Sequence, residues 1–190
     1  MPMRPRTVPK GLVFVLPFVC VLLGMFAWGA AGTHAMELGQ FPTIQATSLN
    51  GAHLNLPANF SGQLNLVIIS FTREQQQEVD SWIPAARKIE SAHAKFRYYE
   101  LPTASRENLL YRWWFNGALR SNTTDLELRS RILTAYVGKR AFKKSLHIAN
   151  EKKAVAILVD QKGHVYWRAD GSYREQDMPA ILSALAANGE

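Results

Sequence analysis

An uninterrupted apolar run, LNLVIIS (Leu64–Ser70), is the feature that most limits how this chain can fold. The run contains β-branched residues and is too short for a helix, so it predicts a strand buried on both faces of a sheet. Apolar residues then recur at three- and four-residue spacing from Val79 to Ile89, which predicts an amphipathic helix over about 74–93. A buried strand that leads directly into such a helix is typical of α/β domains.

The rest of the sequence predicts more strands and helices on either side of this unit. Asn50-Gly51 is a hairpin signal between two short strands, and AVAILVD (Ala154–Asp160) is a second buried strand. The order of the elements favours a mixed sheet with helices on both faces. The other predicted elements are strands at 96–101 and 164–169, a helix that begins at Ser105, a strand edge and a short helix within 126–146, and a final helix over 173–187 with Met178, Ile181, Leu182 and Leu185 inward.

The N-terminal residues have the composition of a targeting segment. Arg4, Arg6 and Lys10 make the first ten residues basic, and Gly11–Gly32 then provides 22 residues without a charge. A spanning helix needs about 20 apolar residues, whereas the core of a secretory signal has about 7–15, so the length favours a retained signal anchor. Residues 33–35 also fit a cleavage site, so a cleaved signal peptide is the alternative.

These patterns divide the chain into three parts. We predict a basic tip with a signal-anchor helix at 1–35, a linker at 36–42 and a mixed-sheet domain at 43–190. The positive-inside rule holds the basic tip in the cytoplasm and predicts a single-pass inner-membrane protein, inserted through residues 11–32, whose domain lies on the periplasmic or extracytoplasmic side. The alternatives are secretion after signal cleavage and, in a eukaryotic host, the mitochondrial inner membrane.

Basic residues are concentrated in the second half of the chain. The formal net charge is +7, and the stretch from Arg106 to Lys153 holds eleven Lys or Arg against four Asp or Glu. This stretch is either a solvated basic face or a surface for anionic lipid or an acidic protein partner. No nucleic-acid partner is predicted, because the domain is expected outside the cytoplasm.

Three sequence pieces carry a resemblance to known proteins. LNLVIISF, a helix, AVAILVDQKGHVYWRADG and a final helix together resemble the thioredoxin-like superfamily over roughly 41–188. The glutamine-bearing turn into Asp80-Ser81-Trp82, the segment YRWWF and ILVDQKGHVYWRADG are similar to the ATP synthase assembly factor family first described in mitochondria, whose members lack the redox cysteines. The resemblance implies a thioredoxin-like mixed sheet flanked by helices. It also implies an assembly factor or chaperone for a membrane complex such as ATP synthase.

The predicted domain has no thiol with which to perform redox chemistry. Cys20 is the only cysteine, and it lies in the apolar N-terminal segment. When the Cys-x-x-Cys motif of thioredoxins is counted from Phe71, its two positions fall at Gln76 and Val79. The residues before Ala154 also lack the proline that thioredoxins carry there. We therefore predict no catalytic residue and a protein that acts by binding. A redoxin-like oxidoreductase of the thioredoxin and peroxiredoxin branch is the alternative, and a scaffold without a discrete site is a third hypothesis.

No metal or cofactor is predicted, because the five histidines show no ligand spacing and no phosphate-binding or dinucleotide motif is present.

Two regions are candidates for binding a partner protein. The turn before the first helix presents side chains that donate and accept hydrogen bonds beside the backbone N–H groups of a helix start. In the YRWWF segment consecutive aromatic residues point about 100° apart, so they cannot all enter one core. Aromatic side chains flanked by arginine suit an interface, although core packing is the alternative. The predicted partner-binding residues are Arg73, Gln76, Asp80, Arg112, Trp113, Trp114 and Arg120.

Overall fold

Strands and helices alternate around one sheet in the computed structural model, which describes residues 38–105 and 126–188. The helix predicted from Ser105 onward and the anchor predicted at 11–32 lie outside the described residues. The strands are β1 (Ile44–Ser48), β2 (His53–Leu56), β3 (Leu64–Ser70), β4 (Phe96–Ser105), β5 (Leu133–Val137), β6 (Val155–Asp160) and β7 (Val165–Asp170). A 3₁₀ turn (Arg73–Gln75) precedes helix α1 (Gln76–Ala92), and the other helices are α2 (Leu126–Arg131), α3 (Lys139–Ser145) and α4 (Asp177–Asn188).

The strands of the described residues form one seven-stranded sheet in the order β2-β1-β5-β4-β3-β6-β7. β3 pairs parallel with β4 and antiparallel with β6, and β4 pairs parallel with β5. Because parallel neighbours cannot be joined by a tight turn, the chain returns from β3 to β4 through α1. The predicted α/β mixed sheet flanked by helices is therefore confirmed.

The central strand β3 is buried on both faces, as its apolar sequence predicts. Leu66 and Ile68 pack in the layer that contains α1 and α4. Val67 and Ile69 pack in the opposite layer, which includes residues of β1, β5 and α3. The strand thereby fixes the position of its own C-terminal end, from which the following turn departs.

The face of α1 that packs against the sheet follows the predicted helical spacing, and its buried residues include Val79, Trp82, Ala86 and Ile89.

The segment 126–136 differs from the prediction of a strand edge. Its first part, α2, carries no buried residue, and Arg131 forms ion pairs there with Glu127 and with Glu90 of α1, each at 2.7 Å. Its second part, β5, lies inside the sheet between β1 and β4. The charged half therefore forms a surface helix, whereas the apolar half forms an interior strand.

The final helix also departs from its prediction at two points. It begins at Asp177 and not near Tyr173, whose ring instead packs edge-on against Trp82 at 5.3 Å between ring centroids. Leu182, predicted to point inward, is 38% exposed, whereas Ile181 and Leu185 are buried.

The segment assigned to the linker contributes to the core. Phe41 is buried and packs edge-on against Phe60 and Phe142, with ring centroids 5.7 and 6.0 Å away. Gln40 forms a β-bridge with His164.

Across 38–105 and 126–188, no helix is both long enough and apolar enough to cross a membrane.

Substitution Trp82→Phe tests how the sheet, α1 and the segment after β7 are joined. The Trp82 ring is fully buried, and its Nε1–H donates to the carbonyl oxygen of Gly171 at 2.9 Å. Phenylalanine leaves that carbonyl unpaired and a small cavity beside it, so we expect a loss of about 2–4 kcal/mol in the free energy of unfolding. Urea unfolding measures the loss. The control Trp167→Phe alters a half-buried ring, and equal losses in the two variants would contradict this account.

Candidate protein-binding site

A buried glutamine organises the turn between β3 and α1. Gln75 is only 5% exposed although its side chain is polar. Its Oε1 accepts hydrogen bonds from the backbone N–H groups of Phe71 and Thr72, at 2.7 and 3.3 Å. Its Nε2 donates to the carbonyl oxygen of Glu151 at 2.8 Å. One amide side chain thus joins the end of the central strand to the loop that precedes β6.

Glu78 makes a second link to the same loop. Its Oε2 accepts a hydrogen bond from the backbone N–H of Ala154 at 2.6 Å. Gln75 and Glu78 are three residues apart, which is the spacing of a Cys-x-x-Cys motif. Nε2 of Gln75 and Oε2 of Glu78 both form hydrogen bonds to the backbone of the loop, so these side chains close the turn against 151–154.

The two positions that the Cys-x-x-Cys count assigns, Gln76 and Val79, lie in different surroundings. Val79, assigned to the second position, is 2% exposed and packs in the core beside α1. Successive helical residues point about 100° apart, so a shift by one residue moves a side chain from the core to the loop. The pair that faces the loop is Gln75 and Glu78.

Helix α3 is tied to this loop through ion pairs. The carboxylate of Glu151 lies 2.7 Å from Nζ of Lys139 and 2.9 Å from Nζ of Lys143. Partial burial acts to raise the pKa of Glu151, but hydrogen bonds from the two lysines outweigh it and lower the pKa. The turn, the loop and α3 therefore form one connected unit.

The predicted partner-binding residues of the turn are exposed. Nε2 of Gln76 donates to Oδ1 of Asp80 at 2.8 Å, one helical turn away, so the structure brings these two together. Arg73 lies on the preceding 3₁₀ turn. The remaining predicted partner-binding residues, Arg112, Trp113, Trp114 and Arg120, lie outside the described residues.

A carboxyl group with a shifted pKa lies beside Gln76 and Asp80. Glu100 follows Phe96 and Tyr98 at two-residue spacing on β4, which directs it toward α1. Burial raises its pKa to about 7, and the negative charge of Asp80 acts in the same direction. A hydrogen bond from Gln76 and the positive charge of Arg87 oppose the shift.

Sequence reasoning missed Gln75, Glu78 and Glu100. Gln75 lies four residues before Val79, in phase with the buried face of α1, so the helical spacing was a usable signal for its burial. The alternation along β4 was an equivalent signal for Glu100. No local pattern could have paired Glu78 with Ala154, because the two residues are 76 positions apart.

Among residues 38–105 and 126–188, no group of three or more His, Cys, Asp or Glu is placed to hold a metal ion. The described part of the site offers hydrogen-bond donors, hydrogen-bond acceptors and charges, which suit binding.

Solved structures identify the class of fold. A putative electron transfer protein from Aquifex aeolicus VF5 has a TM-score of 0.58 at 10% identity, over 80% of this chain and 99% of that chain. The exposed lipoprotein thioredoxin Etrx1 of Streptococcus pneumoniae strain TIGR4 has a TM-score of 0.52 at 12% identity, over 77% and 99%. BsSco, of the Sco family of cytochrome c oxidase assembly proteins, has a TM-score of 0.54 at 14% identity, over 78% and 94%. The fold is thioredoxin-like.

The sequence identifies the family within this class. The family model described as "ATP10 protein" matches residues 37–187. The chain therefore belongs to the ATP10 protein family, and the resemblance to ATP synthase assembly factors is confirmed at the level of the family. No curated protein matches the sequence.

Substitution Gln75→Ala tests the link between the turn and the loop. The change leaves the N–H of Phe71 and the carbonyl of Glu151 without their partner, so we expect a loss of about 2–3 kcal/mol in the free energy of unfolding. Gln77→Ala is the matched control, because it removes an exposed amide two residues away and should stay within about 0.5 kcal/mol of wild type. Denaturant unfolding of both variants provides the comparison. A loss for Gln75→Ala as small as that for Gln77→Ala would show that the hydrogen bonds of Gln75 do not stabilise the fold.

Substitution Glu100→Gln tests the raised pKa. The folded-state pKa of about 7 lies above the ordinary 4.5, so wild-type stability is lost as the pH rises between these values. A neutral glutamine removes that loss. At pH 8 we expect the free energy of unfolding of the variant to exceed that of wild type by on the order of 2 kcal/mol. Below pH 4 we expect no difference, because Glu100 is then protonated in wild type.

The control for this pH series is Glu74→Gln, whose effect should have the opposite sign. Hydrogen bonds from its own backbone N–H and from Thr72 lower the pKa of Glu74, so it contributes stability at high pH that is lost as the pH falls. Thermal unfolding from about pH 3 to pH 8 measures both variants, because the contribution of Glu74 is lost only below its ordinary pKa of 4.5. A parallel pH dependence of wild type and Glu100→Gln would show that Glu100 ionises normally.

Proposed function

We propose that this chain is a membrane-tethered assembly factor that binds a protein subunit of ATP synthase and uses no thiol chemistry. The observation that carries the proposal is the pair Gln75 and Glu78, which has the spacing of a redox motif and is hydrogen-bonded to the loop before β6. Membership of the ATP10 protein family supports ATP synthase as the complex.

The chemistry of this pair favours binding over electron transfer. Disulfide exchange needs a thiolate nucleophile, which the start of a helix stabilises in redox proteins. An amide and a carboxylate at this place can only exchange hydrogen bonds. Cys20, the only cysteine, belongs to the uncharged N-terminal stretch and not to the domain.

The N-terminal sequence supports the tether. In this proposal residues 11–32 span an inner membrane, the basic tip stays in the cytoplasm and the domain works on the periplasmic or extracytoplasmic side. In a eukaryotic host the corresponding membrane is the mitochondrial inner membrane. Cleavage after residue 35 would instead release a secreted domain.

The partner contacts the outer side of the turn. Arg73, Gln76 and Asp80 are exposed there, and a bound partner exchanges the 2.8 Å hydrogen bond between Gln76 and Asp80 for hydrogen bonds of its own. The sequence 112–120, with two tryptophans between two arginines, has the composition of a second, apolar contact with the partner.

Deletion and complementation test this function in the host. Loss of the gene should reduce assembled ATP synthase on native gels, because an assembly factor is needed before the complex forms. Wild type and Cys20→Ser should restore the complex equally, and the double variant Arg73→Ala with Gln76→Ala should restore it less well. The double variant Gln77→Ala with Lys88→Ala is the control, since it also removes one amide and one cation from the surface.

Two outcomes contradict the proposal. Normal ATP synthase levels in the deletion strain would exclude a role in assembly. Failure of Cys20→Ser to complement would indicate that the chain acts through its thiol.

A further inference from the structure

The excess positive charge of the described residues comes from one short stretch. Residues 139–153, which comprise α3 and the loop to β6, hold six Lys or Arg and one Glu. The other described residues hold ten Lys or Arg and ten Asp or Glu, and so have no net charge. The stretch therefore stands out from a balanced surface.

Four cations of this stretch are exposed and unpaired. Glu151 forms ion pairs with Lys139 and Lys143, which leaves the other basic side chains of the stretch without a carboxylate. In the part of the chain that the structure describes, none of these four forms an ion pair, and each is exposed to solvent. We call them the basic surface: Arg140, Lys144, Lys152 and Lys153.

Stabilisation of the α3 helix dipole does not explain all four cations of the basic surface. Lys144 lies in the last turn of the helix, where a cation complements the helix dipole. Lys152 and Lys153 lie in the loop, where no such benefit exists. Arg140 and Lys144 are four residues apart, so they point to the same side of α3.

A cleft lies at the loop end of the basic surface. It has a volume of about 270 Å³, which is below the roughly 300–1,000 Å³ of small-molecule sites and leaves room for side chains of a peptide. Arg168 is held in place there, because its Nε donates to Asp170 at 2.9 Å and its guanidinium also donates to the carbonyl of Leu146 at 2.8 Å. The residues that line the cleft are Ala149, Asn150, Lys152, Lys153, Val155, Arg168 and Asp170.

The lining of the cleft distinguishes an acidic peptide from a lipid headgroup. Asp170 is 52% exposed and Asn150 adds a carbonyl oxygen, so a phosphate would meet hydrogen-bond acceptors beside the lysines. A peptide can satisfy both kinds of group, because its carboxylates pair with Lys152 and Lys153 while its backbone N–H groups donate to Asp170 and Asn150.

We propose that the basic surface and its cleft dock an acidic, extended segment of the protein that this chain helps to assemble. The inference rests on the proposed function in one respect, namely that the chain acts by binding protein. It adds the chemistry of the partner, a segment rich in Asp or Glu. Gln75 and Glu78 are hydrogen-bonded to the loop that carries Lys152 and Lys153, so a segment bound there lies beside the closed turn.

Binding of a labelled peptide to the full-length protein tests the docking surface. The probe is a fluorescent peptide of alternating Glu and Ser, and the same peptide with Gln for Glu is its control. The test variant is Lys152→Glu with Lys153→Glu. The matched variant, Lys88→Glu with Lys95→Glu, makes the same change in net charge at two exposed lysines elsewhere. Circular dichroism verifies that both variants remain folded.

The expected result is salt-sensitive binding of the Glu peptide by wild type, which the test variant weakens about tenfold or more and the matched variant changes less than about threefold. Equal weakening in the two variants would overturn the proposal, because binding would then follow net charge alone. Binding of the Gln peptide with the affinity of the Glu peptide would overturn it as well.

Two further measurements test whether the surface binds lipid instead and whether the proposed function itself fails. Sedimentation with phosphatidylserine vesicles measures lipid binding, and a test variant that loses vesicle binding but keeps peptide binding would overturn the proposal in favour of a membrane surface. Affinity purification from solubilised membranes measures capture of ATP synthase subunits. If wild type captures none, the proposed function fails. If wild type and the test variant capture them equally, only the docking surface fails.

Discussion

The side chain of Gln75 joins the end of β3 to the loop before β6, and the geometry of the candidate site depends on this buried amide. A buried amide without partners would destabilise the fold, whereas one whose donor and acceptor are both satisfied fixes the position of every group it contacts. The strand supplies the rigid end of this link, because β3 is packed on both faces of the sheet. The loop forms the other end of the link, and Glu151 in this loop is ion-paired with Lys139 and Lys143 of α3.

Under the proposed function, this link explains how a thioredoxin-like fold can act by binding. In a redox protein of this fold, the helix start presents a thiol toward a groove. Here the two side chains at the same spacing each form a hydrogen bond with the backbone of the loop. What stays available to a partner is the outer side of the turn and the cations that the loop and α3 carry. The proposed recognition is therefore separated from the part of the molecule that holds the turn in place.

Periodicity alone predicted much of the fold. The seven-residue run of β3, the stripe of α1 and the second apolar run of β6 were predicted because each has a strong and uniform burial pattern. The segment 126–136 was misjudged since two short elements with opposite burial share it. Leu182 was assigned to the inward face of the final helix, but the buried residues of that helix are Asp177, Ile181 and Leu185.

The site was harder to predict than the fold. Arg73, Gln76 and Asp80 were chosen as polar residues near the turn, and all three are exposed, with Arg73 on the 3₁₀ turn and the other two at the start of α1. The residues that build the turn depend on contacts between positions 76 apart along the chain, which no local pattern encodes. Glu78 and the buried Val79 are adjacent, so one step along the helix separates a contact with the loop from a contact with the core. At Gln75 and Glu100 the spacing was informative, because each is a polar residue at a position where the helix or strand periodicity predicts a buried apolar one.

The central claim is that this chain works by contact with a subunit of ATP synthase and not through a thiol. Photo-crosslinking in living cells tests it most directly, with a photoreactive residue at position 76 of the full-length Cys20→Ser chain and mass spectrometry of the adducts. The account predicts an adduct with an ATP synthase subunit, and a weaker or absent adduct when the photoreactive residue stands at position 88 on the far part of α1. Absence of any ATP synthase subunit at position 76, or adducts that form only when Cys20 is present, would contradict it.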